Sequence, residues 1–186
     1  MARYATKTYS GKRVNKKRLI IYFIFLLMLV STTSLIDSSG LKIFNAAPAL
    51  TFIAVCAIGF IFGDKSGAIF GIVGGFLTDA LGFSGVMISP IIFMVFGYLC
   101  GRLVGWFLSK NLPSFIVYGI IALLIKEIYT LLIIGVISTD FELFYILGNI
   151  ILPEYLASLI FICPIYLAFA GIYRLFLGKD KKEFRF

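Results

Sequence analysis

Two ladders of glycine run through apolar stretches of this chain. Gly59, Gly63, Gly67, Gly71 and Gly75 follow one another at a spacing of four, and Asp79 takes the next place. Gly97, Gly101 and Gly105 repeat the spacing further on. Glycine costs roughly 1 kcal/mol against alanine inside a helix, so a repeat of this kind needs a compensating gain. In a membrane that gain is close approach of helix backbones, because small residues remove the side chains that hold helices apart. A spacing of four drifts by about 40° per step on a helix of 3.6 residues per turn, so each ladder forms a slanted groove. Gly63 falls in a turn, which leaves Gly67, Gly71 and Gly75 on one helix and Gly97, Gly101 and Gly105 on the next. Two readings follow: the grooves pack on each other, or they dock a single helix of a partner.

The surrounding composition places those helices in a bilayer. The chain is 61% hydrophobic and 14% charged, where a soluble domain is nearer half apolar and a quarter charged. Long apolar runs extend through most of its length, which predicts an all-α polytopic membrane bundle. Cys56, Cys100 and Cys163 all lie within apolar runs without metal-ligand spacing, and histidine is absent. The cysteines read as buried thiols.

We expect six spans, at about 19–36, 46–62, 67–81, 85–108, 114–136 and 153–177. The second and third are short for an untilted crossing, and extend into their turns or cross incompletely. Seven basic residues and no acid precede the first run, and Arg174, Lys179, Lys181, Lys182 and Arg185 lie at the other end. The net charge of +8 therefore reads as membrane flanks, which also suit anionic lipid headgroups, and not as a nucleic-acid surface. An N-in, C-in arrangement puts 14 of the 17 basic residues inside, with Lys42 alone in an outer loop. Residues 1–18 and 178–186 are then basic cytoplasmic tails, and 19–177 is one transmembrane domain. The basic start and apolar run have the outline of a signal peptide, but no A-x-A site follows, so the run is expected to stay as a span. Residues 143–177 are too long for one straight span. Pro153 suits a helix start and Glu154 the positive end of its dipole, so 143–152 reads as a short interfacial or re-entrant segment. Pro164 is expected to kink the last span.

Charges within the spans are the most informative single residues. Lys126 and Glu127 fall at the middle of the fifth span, where each costs roughly 2.5–3.5 kcal/mol on insertion scales. As neighbours they point about 100° apart, so their partners are expected from elsewhere. We expect Lys126 to reach outward to Asp79, leaving Glu127 beside a polar pocket or protonated. Asp79 and Glu154 both sit toward outer ends of spans and are otherwise readable as wet interfacial groups. Arg102 lies near the inner end of the fourth span, where its long stem lets the charge snorkel.

No catalytic constellation is present. Gly82-Phe83-Ser84-Gly85 has the form of an intramembrane serine nucleophile motif, but without histidine the usual base is missing, and a turn is the simpler reading. Asp79 lacks the second mid-membrane aspartate of an aspartyl protease. There is no P-loop and no dinucleotide-binding glycine motif. No metal or cofactor is expected.

The stretch from Pro48 to Gly105 resembles the rod shape-determining MreD family. The resembling residues are Pro48 before an apolar run, Gly67-Ala68-Ile69-Phe70-Gly71, Gly74-Gly75-Phe76-Leu77-Thr78-Asp79, and Phe96-Gly97-Tyr98-Leu99-Cys100-Gly101. Leu152-Pro153 and Cys163-Pro164-Ile165-Tyr166 look like the family's last span. The resemblance implies a bacterial cell-membrane scaffold, without catalysis of its own, that helps organise lateral peptidoglycan synthesis. It implies direct binding of MreC, a single-span protein with an extracytoplasmic domain, with the actin-like MreB and wall synthases in the same assembly. The alternative is the substrate-binding subunit of an energy-coupling-factor vitamin transporter, also a small six-span bundle. Those subunits dock through small residues on the first span, whereas Leu19-Ile20-Ile21-Tyr22-Phe23-Ile24-Phe25 has none.

Overall fold

The computed structural model describes residues 22–32, 48–81, 88–106, 111–137 and 146–177. Nearly all of them are helical, and no strand occurs among them. The helices are α1 (Tyr22–Thr32), α2 (Leu50–Phe62), α3 (Asp64–Leu81), α4 (Ser89–Trp106), α5 (Leu112–Ile137) and α6 (Leu152–Leu177). A π-helical turn, Leu147–Ile151, leads into α6. Two segments are long and apolar enough to cross a bilayer by themselves, Leu112–Ile133 and Leu147–Tyr173. At 1.5 Å per residue they reach roughly 33 and 40 Å, against a hydrocarbon core of about 30 Å.

The core forms around α2. Every residue from Leu50 to Ile61 is buried, as expected of a helix that is apolar on all sides. α2 packs against α3, α4 and α6, and more lightly against α5. Aromatic rings connect these elements: Phe52 meets Phe93 and Phe96, Phe60 meets Phe115 and Tyr166, and Phe25 meets Phe62 and Phe169. Phe115 stacks on Tyr166 with centroids 4.8 Å apart, joining α5 to α6. Outward faces carry half-exposed Phe23, Ile69, Phe76, Ile91, Ile128, Leu132 and Ile160. Apolar side chains on the outside of an apolar core are what a lipid solvent permits.

One residue separates α2 from α3. Gly63 takes φ 96°, a left-handed conformation that side chains rarely adopt, and its N–H donates to Gly59 O at 2.9 Å. The third helix therefore starts at Asp64, three residues earlier than the span expected at 67–81. Asp64 favours that start, since a carboxylate in the first turn opposes the positive end of the helix dipole. Arg102 of α4 reaches the same carboxylate, Nη1 to Oδ2 at 3.8 Å, so its charge ends on a partner within the chain.

From this turn α3 and α4 run antiparallel with their glycines facing. Gly101 abuts the Gly63–Asp64 backbone, Gly97 abuts Gly67, Gly71 abuts Phe93–Met94, and Gly75 abuts Ser89–Pro90. A methyl group on Gly71 would lie 2.6 Å from the Met94 nitrogen, and one on Gly97 would lie 2.8 Å from the Gly67 carbonyl carbon. Backbone cannot give way as a side chain can. Gly59 of α2 also meets Gly97, so the first ladder crosses the turn and closes on one residue of the second. Gly67, Gly71, Gly75 and Gly97 are thus buried in the chain's own α3–α4 seam.

The remaining differences follow from local chemistry. The described part of 143–152 joins α6 without a break, and Leu152 N–H donates five residues back to Leu147 O. Pro153 offers no N–H and its ring crowds the carbonyl four residues earlier; a widened π turn accommodates both effects. Pro164 lies inside α6, which continues to Leu177. The tails at 1–18 and 178–186 and the turn at 82–85 lie outside the described residues.

Candidate functional site

Polar side chains collect where α5 meets α6. Lys126 Nζ donates to Glu127 Oε1 at 3.1 Å and to Glu154 Oε1, the latter a close ion pair across the helix interface. The expected pairing of Lys126 with Asp79 is therefore corrected. Adjacent residues do diverge by about 100°, but the four-carbon lysine stem bends far enough to bring its ammonium back to Glu127. Glu154 then approaches from α6, on the facing helix.

The cluster is held by further hydrogen bonds. Ser158, one turn beyond Glu154 and fully buried, donates to Glu154 O at 2.7 Å and accepts the Ala49 N–H at 2.9 Å. That serine links the entry of α2 to the charged end of α6. Thr130 donates to Lys126 O at 3.0 Å, and Gly119 lets Ile162 of α6 sit closely against α5. The burial is uneven: the Glu127 side chain is 4% exposed, Lys126 14% and Glu154 21%. Glu127 Oε2, Tyr129 OH and Thr51 Oγ1 are buried without a hydrogen-bond partner among the described residues.

Asp79 serves a different purpose. Its Oδ2 accepts the backbone N–H of Ser89 at 3.1 Å, the first residue of α4. The first N–H groups of a helix have no intrahelical acceptor, and α3 supplies one from across the seam. The aspartate that continues the glycine ladder thus closes its far end. Tyr118 does similar work between α5 and α4, donating to Phe96 O at 2.7 Å. The sequence reading missed Tyr118 and Ser158. The signal for Ser158 was its position four residues after Glu154, on the same helix face. No comparable signal marks Tyr118. Gly105 lies in the last turn of α4.

The arrangement is one of packing and pairing. Cys56 and Cys100 are buried, Cys163 is partly so, and all three are free thiols. No three His, Cys, Asp or Glu side chains gather in a metal-binding group among the described residues.

The glycine-zipped helix pair and its capping aspartate hold many of the positions on which the family resemblance rests. The family model of the rod shape-determining protein MreD matches residues 12–176 of the 186. The chain belongs to the MreD family. The match takes in both glycine ladders, Asp79, the Lys126–Glu127–Glu154 cluster and the proline-containing last helix. Membership brings a role in rod-shape determination and, with the apolar helices, a membrane protein. No curated protein and no solved structure matches this MreD-family chain. The vitamin-transporter alternative finds no support in these comparisons.

Proposed function

We propose that the chain is a non-catalytic scaffold of the cell-elongation machinery, spanning the cytoplasmic membrane six times with both ends inside. It binds MreC directly and helps position MreB and the wall synthases for lateral peptidoglycan synthesis. The observation that carries this reading is the MreD match across residues 12–176. Two features support it. Several polar groups of the described bundle join helices: Asp79 holds the start of α4, Ser158 the entry of α2, and Lys126 of α5 pairs with Glu154 of α6. The positive charges concentrate in the sequence flanks, as the positive-inside rule requires of an N-in, C-in protein.

Co-purification tests the reading. The tagged full chain, extracted in mild detergent from cells that also express MreC, is expected to retain MreC at equal stoichiometry. Retention of a small molecule or of ATPase subunits in place of MreC overturns it. The topology has its own check: a fluorescent protein fused after Phe186 is expected to fold, and a periplasm-dependent phosphatase at the same place to stay inactive.

A further inference from the structure

One lysine serves two carboxylates in the α5–α6 cluster. Lys126, Glu127 and Glu154 together carry one surplus negative charge when all are ionised. Each carboxylate presents a single oxygen to the shared ammonium, and the second oxygen of Glu127 is buried with no donor among the described residues. Glu127 as a whole is 3% exposed. Burying a carboxylate that is incompletely paired and incompletely hydrogen-bonded is unfavourable. Fully ionised, the cluster is thus short of both a positive charge and donors among the described residues.

Its accessible member is Glu154, whose side chain is 21% exposed against 4% for Glu127. A cation arriving at Glu154 would pair with the reachable carboxylate and free Lys126 to serve Glu127 alone. Water brings donors without charge; an ammonium or guanidinium group brings both. We propose that Glu154 is the docking point for one basic side chain carried by the membrane helix of a partner protein. Depth favours a side chain over a lipid headgroup. Lys126 lies seven residues before the end of the apolar span at Ile133, roughly 10 Å along the helix axis at 1.5 Å per residue. Lipid ammonium groups stay at the interface, whereas an intramembrane Lys or Arg on a spanning helix can meet a partner charge within the bundle. The proposal rests on the scaffold reading and places one contact of its partner.

The experiment is capture of MreC by the full chain, with Glu154 intact or changed by Glu154→Gln. The variant is expected to lose at least tenfold in captured MreC. Its unfolding temperature, measured on the chain alone, is expected to stay level or rise, because a neutral Lys126–Glu127 pair remains. Unchanged capture, or a fall in unfolding temperature alongside the loss, overturns the proposal. Each Lys or Arg in or beside the MreC span is also changed to Met. One of these is expected to reproduce the loss and add nothing on top of Glu154→Gln; if none does, the proposal falls. Nanodiscs of phosphatidylglycerol, with and without phosphatidylethanolamine, test the other occupant. A phosphatidylethanolamine-dependent rise in stability that Glu154→Gln abolishes assigns the site to a lipid and overturns the proposal. If the wild-type chain captures no MreC at all, the scaffold reading itself fails.

Discussion

Lys126 bridges α5 and α6, which also meet through the Phe115–Tyr166 ring stack. Lys126→Met removes the only cation of the cluster and leaves Glu127 and Glu154 facing each other beside an apolar side chain. Breaking a buried pair from one side costs about 3–5 kcal/mol, so the variant is expected to lose most of its folded fraction. Fluorescence-detected size exclusion and thermal unfolding in detergent read that loss. Lys126→Met combined with Glu127→Gln and Glu154→Gln is expected to recover much of it, since the stranded charges are then gone. The sequence made Lys126 and Glu127 visible as intramembrane charges, because insertion cost alone marks them. It did not make their pairing visible. Helical angles give the direction of a Cβ, whereas a lysine ammonium is decided by a long, flexible stem, and Glu154 is distant in the chain. Asp79 was misassigned for a related reason: its partner is a backbone N–H of α4, and backbone donors carry no residue-type signature. Asp79→Ala is expected to cost about 1 kcal/mol, the worth of a helix cap, read as a lower unfolding temperature. A larger effect would mean that Asp79 does more than satisfy Ser89.

At the level of elements, the α3–α4 pair is the feature most legible in the sequence. Spacing alone marked both glycine runs, and the single-residue turn at Gly63 sets where the first run divides between α2 and α3. With Gly63 at φ 96° the two helices it joins, α2 and α3, must fold back on each other, and α4 closes over the turn at Gly101. Length was less legible. The third helix gains a turn because Asp64 can begin it, and the segment before Pro153 becomes a π turn because a proline ring needs the room. Gly71→Leu places a branched side chain against the Phe93–Met94 backbone and is expected to abolish the folded protein, seen as loss of the monodisperse peak. Ile72→Leu, next in sequence but 47% exposed on the outer face, is expected to change the unfolding temperature by no more than a degree or two. If Gly71→Leu instead leaves a stable bundle, the seam is not the one these backbone contacts describe.

For the whole molecule, the glycine seam and the charged interface occupy different parts of the bundle. α2, α3 and α4 form a close-packed unit held by glycine contacts, while α5 and α6 contribute the charged interface, with Glu154 its most exposed charge. Two classes of inactive variant should therefore look alike in cells and differ in cause. In rod-shaped cells lacking their own MreD-family protein, the wild-type chain is expected to restore rod shape if its partners recognise it. Gly71→Leu and Glu154→Gln are both expected to leave the cells round. Immunoblots of the membrane fraction then divide them: Gly71→Leu is expected to be depleted, because its helices cannot close, whereas Glu154→Gln is expected at wild-type abundance, because neutralising one of two carboxylates leaves the bundle intact. If Glu154→Gln is depleted as well, the charged interface serves folding in the way the glycine seam does, and partner recognition must lie on another face.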